Sequence, residues 1–397
     1  MGEPFFSHQH DAYRRWRERG GAHKVRFSGA VPVEGWVITG HAECKAALAD
    51  PRLSKNSATE VFARRLGQDG SGGGGPGKGL TAHMLNADPP EHTRLRALVQ
   101  QAFTARRVAD LRPKIEARAT TLLDALDGQE EADLISRFAL PLPVAVIFDL
   151  FGASDEPGDP FRVRGNSTTE DGGDGEVSVL TAEAMLDRIR ALIRHKRAHP
   201  GDDLLSALIA AHDDGDRLTE QEVTSMAFLL LVAGHQTTVN LITNGIHTLL
   251  THPGQLAALR ADPSLMRGMI EEVLRYESPF GIATLRYTTE PVTIAGTTIP
   301  AGEFVQIGLL AANRDPAVFD DPDRFDITRA TPSRHLAFGH GIHHCLGAPL
   351  ARLQAEVAFA HILRRYPGLR PAGPGHPPQW QHNARHRGLL TLPVRLR

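Results

Sequence analysis

Cys345 stands in the run FGHGIHHCLGAPLAR at 338–352, just ahead of a segment with helical spacing. The amide groups at a helix start stabilise a thiolate over a thiol. Gly339 and Gly341 let the backbone approach a ligand closely, and Gly347 removes a side chain where a flat group could lie beside the sulfur. Phe338 opens the run, His343 supplies a donor near the sulfur, and Arg352 places a charge one to two turns into the helix. This suits a loop presenting a thiolate to a planar metal cofactor. Toward haem iron a thiolate is a strong axial donor that favours O–O cleavage. Two other readings stand beside it: a structural cysteine next to a packing glycine, and a zinc site of His340, His343, His344 and Cys345. The zinc reading lacks a second cluster at metal-ligand spacing.

Other residues carry weaker signals. Glu272 and Arg275 in EEVLRY are three apart, so a helix puts them on one face as an ion pair. On a surface such a pair is worth roughly a few tenths of a kcal/mol. His92 and Arg96 are four apart and project from one side of a helix, where they can donate to carboxylates. Arg94 points about 200° away from Arg96 and is expected in solvent. The string at 72–78 satisfies G-x-x-x-x-G-K, but Gly79 follows Lys78 where a phosphate loop needs Ser or Thr. Neither a strand before nor a helix after is visible, so it reads as a surface loop.

The elements that must hold these residues are mainly helical. Thr219 and Glu222 form a capping box at the start of a long candidate helix over 219–252, ended by Pro253. Its middle is apolar on every face, which predicts a course through the protein centre. Further helices are expected over 41–50, 105–126, 143–152, 177–197, 263–277 and 346–366. Strands are expected over 25–39, between 287 and 310, and near the C-terminus. The fold class is mainly α with a small antiparallel β region, in one domain over 1–397. The segments at 67–79 and 155–176 are glycine-rich and read as loops.

Composition excludes several classes. Of 397 residues, Lys+Arg number 44 and Asp+Glu 46, a formal net charge of −2, which leaves no polybasic footprint for nucleic acid. The 2 cysteines, Cys44 and Cys345, cannot build a disulfide scaffold or a four-thiolate cluster. No signal-peptide core opens the chain and no apolar run approaches the roughly 18 residues of a membrane span. A cytoplasmic protein without membrane or nucleic-acid partners is expected.

The run at 338–352 resembles the haem-binding signature of the cytochrome P-450 family, F-x-x-G-x-H-x-C-x-G-x-x-L-A-R, at every fixed position. The resemblance extends from about residue 25 to the C-terminus. It implies haem b buried between the long central helix and the cysteine loop, with Cys345 as the axial iron ligand and Phe338, Gly339 and Gly347 around it. It gives the propionate contacts to His92, Arg96, Arg286 and His343. It makes Glu272 and Arg275 two parts of a buried structural triad, completed by Arg324 in DPDRF. Ala233, Gly234 and Thr237 in LLLVAGHQTTVNLI resemble the family's oxygen-binding segment. There the glycine makes room and the threonine hydroxyl opens the helix locally. The implied activity is monooxygenation, most simply hydroxylation, of a small natural-product intermediate by a monomer. Electrons would come from NAD(P)H through a separate ferredoxin and ferredoxin reductase, docking where Arg96, His344 and Arg352 add positive character. Oxidative coupling, a peroxide-driven reaction and a catalytically silent binding protein are the alternatives.

Two departures from the family pattern stand out. Gln236 precedes Thr237 where the family usually has Asp or Glu, and an amide cannot ionise to relay a proton. The tail HNARHRG offers Asn383, Arg385, His386 and Arg387, which suggests a polar or carboxylate-bearing substrate. Phe228, Val232, Ile282, Ala283 and Arg385 are the expected substrate contacts.

Overall fold

The reciprocal cap predicted at the start of the central helix forms. The Thr219 N–H donates to Glu222 Oε2 at 2.7 Å and the Glu222 N–H to Thr219 Oγ1 at 3.2 Å. Two of the otherwise unpaired amide donors of a helix start are satisfied this way. The helix then runs without interruption through Glu220–Thr251, and Pro253 opens the next helix instead of extending this one. The computed structural model describes residues 5–6, 8–27, 33–65, 82–153, 175–213, 218–373 and 378–397. The phosphate-loop string at 72–78 and most of the polar stretch at 155–176 lie outside the described residues.

Two compact units are distinguishable. The first comprises residues 1–58, 119–139 and 237–397; the second comprises 59–118 and 140–236. Among the described residues every strand belongs to the first. Its main sheet has the order β1 (Ala22–Phe27), β2 (Val33–Ile38), β8 (Phe304–Ile307), β5 (Arg286–Thr288), β3 (Leu53–Ser54). β4 (Glu131–Asp133), β10 (Pro393–Arg395) and β9 (Arg370–Pro371) form a second sheet, and β6 (Val292–Ile294) with β7 (Thr297–Ile299) a hairpin. The expected purely antiparallel region is corrected at one point: β2 and β8 pair in parallel, with Trp36 opposite Val305 and Ile38 opposite Ile307. The two strands are separated by most of the chain, so no turn chemistry announces their pairing.

The sheet packs its apolar face against the short helix His41–Ala49. Cys44 in that helix is fully buried with Leu48, Leu53, Val305 and Ile307. Its thiol donates to the carbonyls of Ile38 and Gly308 at 3.3 and 3.7 Å. Burial drives its pKa well above the usual thiol value, so it is an inert packing residue.

The second unit is helical. The helices Glu91–Ala102, Pro141–Leu150, Gly175–Ala198 and Leu204–Asp213 belong to it, together with the first half of the central helix. A buried pair ties two of them together: Lys196 donates to Asp203 at 2.8 Å and to the Gly152 carbonyl at 2.7 Å. The expected long helix over 105–126 is two, Ala105–Asp110 and Arg112–Asp124, divided at Leu111. The central helix is itself long and apolar enough to cross a membrane, but 61% of its most apolar stretch is buried inside the protein.

Candidate functional site

The cysteine loop is built from backbone constraints. Gly339 and Gly341 both have positive φ, 73° and 72°, a conformation that side chains disfavour. At 341 a β-carbon would also meet the Leu48 carbonyl at 3.1 Å and Ala49 Cα at 3.2 Å, so the loop sits directly on the helix His41–Ala49. The Cys345 N–H donates to the Phe338 carbonyl at 2.9 Å and closes the loop. Two residues beyond the sulfur, Gly347 caps the helix Ala348–Arg365. Neither cysteine is in a disulfide, and Cys345, unlike Cys44, is exposed.

This loop fits a haem on the sulfur. A β-carbon at 347 would meet only Cys345 Sγ, at 3.8 Å, and nothing else within 4 Å. Glycine therefore leaves an open face beside the one accessible thiol, as a flat macrocycle ligated there requires. A zinc site does not fit as well: among the described residues no group of three His, Cys, Asp or Glu side chains is placed to hold a metal ion.

The loop is braced from behind. Arg352 lies over the Phe338 ring, 4.5 Å from its centre, and donates to both oxygens of Glu271 at 2.6 and 2.9 Å. His335 meets the same carboxylate at 3.2 Å. Arg352 is thus an internally neutralised brace, which corrects its expected part in a positive docking surface. Burial alone would raise the Glu271 pKa, but the hydrogen bonds and charges of Arg352 and His335 hold it at about 2. A carboxylate depressed from 4.5 stabilises the fold above the unfolded value, and that stability is lost as pH falls through 4.5 toward 2. The Glu271→Gln protein is expected to be about 2–3 kcal/mol less stable at pH 7. The gap should close between pH 5 and 2, as read by denaturant titration; a gap unchanged with pH would refute this assignment.

The buried triad forms with a different third member. Arg275 donates to both Glu272 oxygens at 2.8 Å, and neither side chain has any exposure. The second guanidinium is that of Arg329, whose Nε lies 3.2 and 3.1 Å from the same oxygens. Arg324, the expected partner, is corrected: its side chain is 63% exposed and faces Asp326 at 3.6 Å. It contributes its backbone carbonyl instead, which accepts from Arg275 at 3.0 Å and Arg329 at 2.9 Å.

The proposed anion-binding residues occupy two places, one in each unit. In the helix Glu91–Ala102, His92 is buried and Arg96 half-buried. Burial first, then the Arg96 charge, lowers the His92 pKa; a carboxylate brought to the pair would oppose both effects. Arg94 is held by Glu222 of the capping box, within the same unit. In the first unit, Arg286 opens β5, is buried, and donates to the carbonyls of Leu48 and Leu53 at 3.0 and 3.4 Å. The Leu48 carbonyl is part of the cysteine loop's footing, so Arg286 and half-buried His343 belong to one region of the unit. Lys55, missed in the sequence, is a further buried cation there and donates to Thr284. A lone lysine carries no sequence pattern that would have found it.

On the central helix, Val232 is 40% exposed and Ala233 is exposed, in the middle of a helix otherwise largely covered. The prediction of burial on all faces fails here, where open space begins. Gly234 is corrected: a β-carbon there would meet Ile147 Cδ1 at 2.8 Å. The missing side chain admits the neighbouring helix, and exposed Ala233 borders the open space instead. Gln236 and Thr237 are half-buried, Phe228 likewise, and the helix is not broken at Thr237.

Two expected substrate contacts are also corrected. Ile282 is 1% exposed inside a cluster with Tyr13, Val37 and Leu310. Ala283 packs in the sheet cluster with Leu53 and Ile307 and donates its N–H to the Ile307 carbonyl at 2.9 Å. The half-buried Thr284 and Leu285 that follow are the accessible part of this segment. Arg385 is exposed, on a tail turn tied to residues 279–281.

Comparison with known proteins bears on the whole chain. The family model described as Cytochrome P450 matches residues 180–378. Cytochrome P450 107B1 of Saccharopolyspora erythraea is 49% identical over 99% of this chain and 96% of its own length. The polyketide biosynthesis cytochrome P450 PksS of Bacillus subtilis is 37% identical over 100% of this chain and 97% of its own. Among solved structures, the tirandamycin C-bound P450 monooxygenase TamI superposes with a TM-score of 0.91 at 44% identity, covering 100% of this chain and 99% of that one. An accessible thiol on a glycine-shaped loop, a buried Glu–Arg pair and full-length similarity of this depth have one explanation: the chain is a monooxygenase of the cytochrome P450 family.

Proposed function

We propose that this monooxygenase oxidises a small natural-product intermediate, with haem b held on Cys345. The observation that carries the reading is the exposed Cys345 thiol beside the open face left by Gly347. His92, Arg96, Arg286 and His343 are the residues that would receive the two propionates, through charge-assisted hydrogen bonds. When bound, the haem supplies reductive activation of dioxygen and transfer of one oxygen atom to the substrate. The chain's own part is to exclude water, orient the substrate and deliver protons. Val232, Ala233, Phe228 and the tail turn border the substrate, and the Thr237 hydroxyl holds the proton-donating water. Gln236 orients that water without exchanging a proton of its own. The whole of 1–397 acts as one catalytic domain, as a cytoplasmic monomer, and draws electrons from NAD(P)H through a ferredoxin and its reductase. Natural-product chemistry is supported by the polyketide pathway named for PksS and the tirandamycin C held by TamI.

The reading is tested with reconstituted redox partners and a library of polyketide and related intermediates. Substrates are those that displace water from the ferric haem, and one product oxygen should derive from labelled dioxygen. Turnover supported only by peroxide, or products without that label, would count against it. Gln236→Glu is expected to raise product formed per NAD(P)H consumed, because a carboxylate can relay the proton an amide cannot. An unchanged ratio and rate would remove the role given to Gln236.

A further inference from the structure

The four polar side chains of the tail turn do different jobs. Asn383 Oδ1 accepts from the backbone N–H groups of Arg385 and His386 at 2.8 and 3.2 Å, so it shapes the turn. His386 stands edge-on to Phe280 with ring centres 5.1 Å apart. Arg387 is buried, donates to Glu277 at 3.1 Å and lies over Trp380 at 3.4 Å. Glu277 is shared with Arg314 at 3.3 Å and with His10 at 2.9 Å. Burial, then the Arg314 charge, pushes His10 down to about 4, so at neutral pH the positive charges on Glu277 come from the two arginines.

Arg385 differs from all three. Its side chain has no ion pair or hydrogen bond among the described residues, yet its backbone is firmly placed. The Gly281 N–H donates to its carbonyl at 2.7 Å, the Arg387 N–H to the Pro279 carbonyl at 3.0 Å, and Asn244 of the central helix to the Arg387 carbonyl at 2.9 Å. The guanidinium is reachable by solvent, but burial by the surrounding protein, with no anion opposing it, lowers its pKa. An exposed guanidinium without a partner among the described residues, carried on a turn whose backbone is fixed, is free to receive an anion.

We propose that Arg385 is a specificity-determining anion site, whose planar guanidinium receives a carboxylate of the substrate through two parallel N–H donors. The proposal rests on the reading of the tail turn as substrate-contacting and narrows the substrate class to organic acids. Arginine matches a carboxylate in shape as well as charge, and a turn already fixed by its backbone loses little freedom on binding.

The test uses the holoenzyme and a size-graded series of carboxylic acids paired with their methyl esters. Binding is read both by calorimetry and by the ferric spectrum. For the pairs that bind, the acid is expected to bind at least about tenfold tighter than its ester, about 1.4 kcal/mol. Arg385→Ala should reduce that ratio to within about twofold, and Arg385→Lys should keep part of it, since lysine offers charge without the fork. Arg324→Ala, an exposed arginine outside the tail turn whose side chain faces Asp326, serves as the control. Acids binding no tighter than esters anywhere in the series, or a preference that survives Arg385→Ala, overturns the proposal. A preference seen by calorimetry with no spectral change overturns the assignment to the substrate site. The carbon-monoxide band of the reduced protein separately decides the haem–thiolate reading, so the two failures are distinguishable.

Discussion

Cys345→Ser is expected to lower turnover by at least about 1000-fold, roughly 4 kcal/mol of barrier. It should also remove the thiolate-type Soret band of the reduced, carbon-monoxide-bound protein. The change exchanges sulfur for oxygen and little else. The loop is closed by the backbone N–H of Cys345 on the Phe338 carbonyl, which serine retains. The positive-φ glycines and the brace of Arg352 on Phe338 and Glu271 are untouched. Circular dichroism should therefore be unchanged while the spectrum is lost. Cys44 cannot substitute, because it is buried, donates to two carbonyls and resists ionisation. Cys44→Ala should leave the carbon-monoxide band in place. A thiolate band that survives in Cys345→Ser would overturn the ligand assignment.

Arg329→Ala is expected to destabilise the protein by about 3 kcal/mol, as breaking a buried ion pair does, whereas Arg324→Ala should cost less than about 0.5 kcal/mol. Glu272 has no exposure and shares its two oxygens among Arg275, Arg329 and the Asp326 N–H. Without Arg329 a buried carboxylate loses one of its two cations, and three backbone carbonyls, those of Asp320, Asp321 and Arg324, lose a donor. Without the Arg324 side chain only a 3.6 Å surface pair disappears, because its carbonyl stays in place. Denaturant titration of the holoenzyme measures both. The reverse ranking would restore Arg324 to the triad.

That exchange of arginines shows where the sequence was readable. Motifs whose members are close along the chain were legible in full: the cysteine loop, the Thr219–Glu222 cap, and the Glu272–Arg275 pair on one helix face. Local geometry decides each of them. Partners separated by long stretches were not. Nothing in DPDRFDITR says which arginine turns inward, since that depends on how residues 320–324 present their carbonyls. Arg352 was readable as a charge near the sulfur, but its neutralisation by Glu271 comes from 81 residues away. Gly234 has room-making chemistry in either role, and only the position of Ile147 decides it. Ile282 and Ala283 read as substrate contacts until the sheet clusters are seen to enclose them.

The tail turn is held by its backbone. Pro279, Gly281 and Asn244 grip the main chain of residues 385–387, and a β-carbon at Gly388 would collide with Asn240. The side chain of Arg385 takes no part in that grip, whereas its neighbour Ala384 packs against the cluster of Tyr13, Val37 and Ile282. Mutation can therefore exchange Arg385 without loosening the scaffold, and substrate preference can drift while stability stays level. For a descendant enzyme, or an engineered one, this is the place where a single codon change alters what is accepted at the lowest cost to folding.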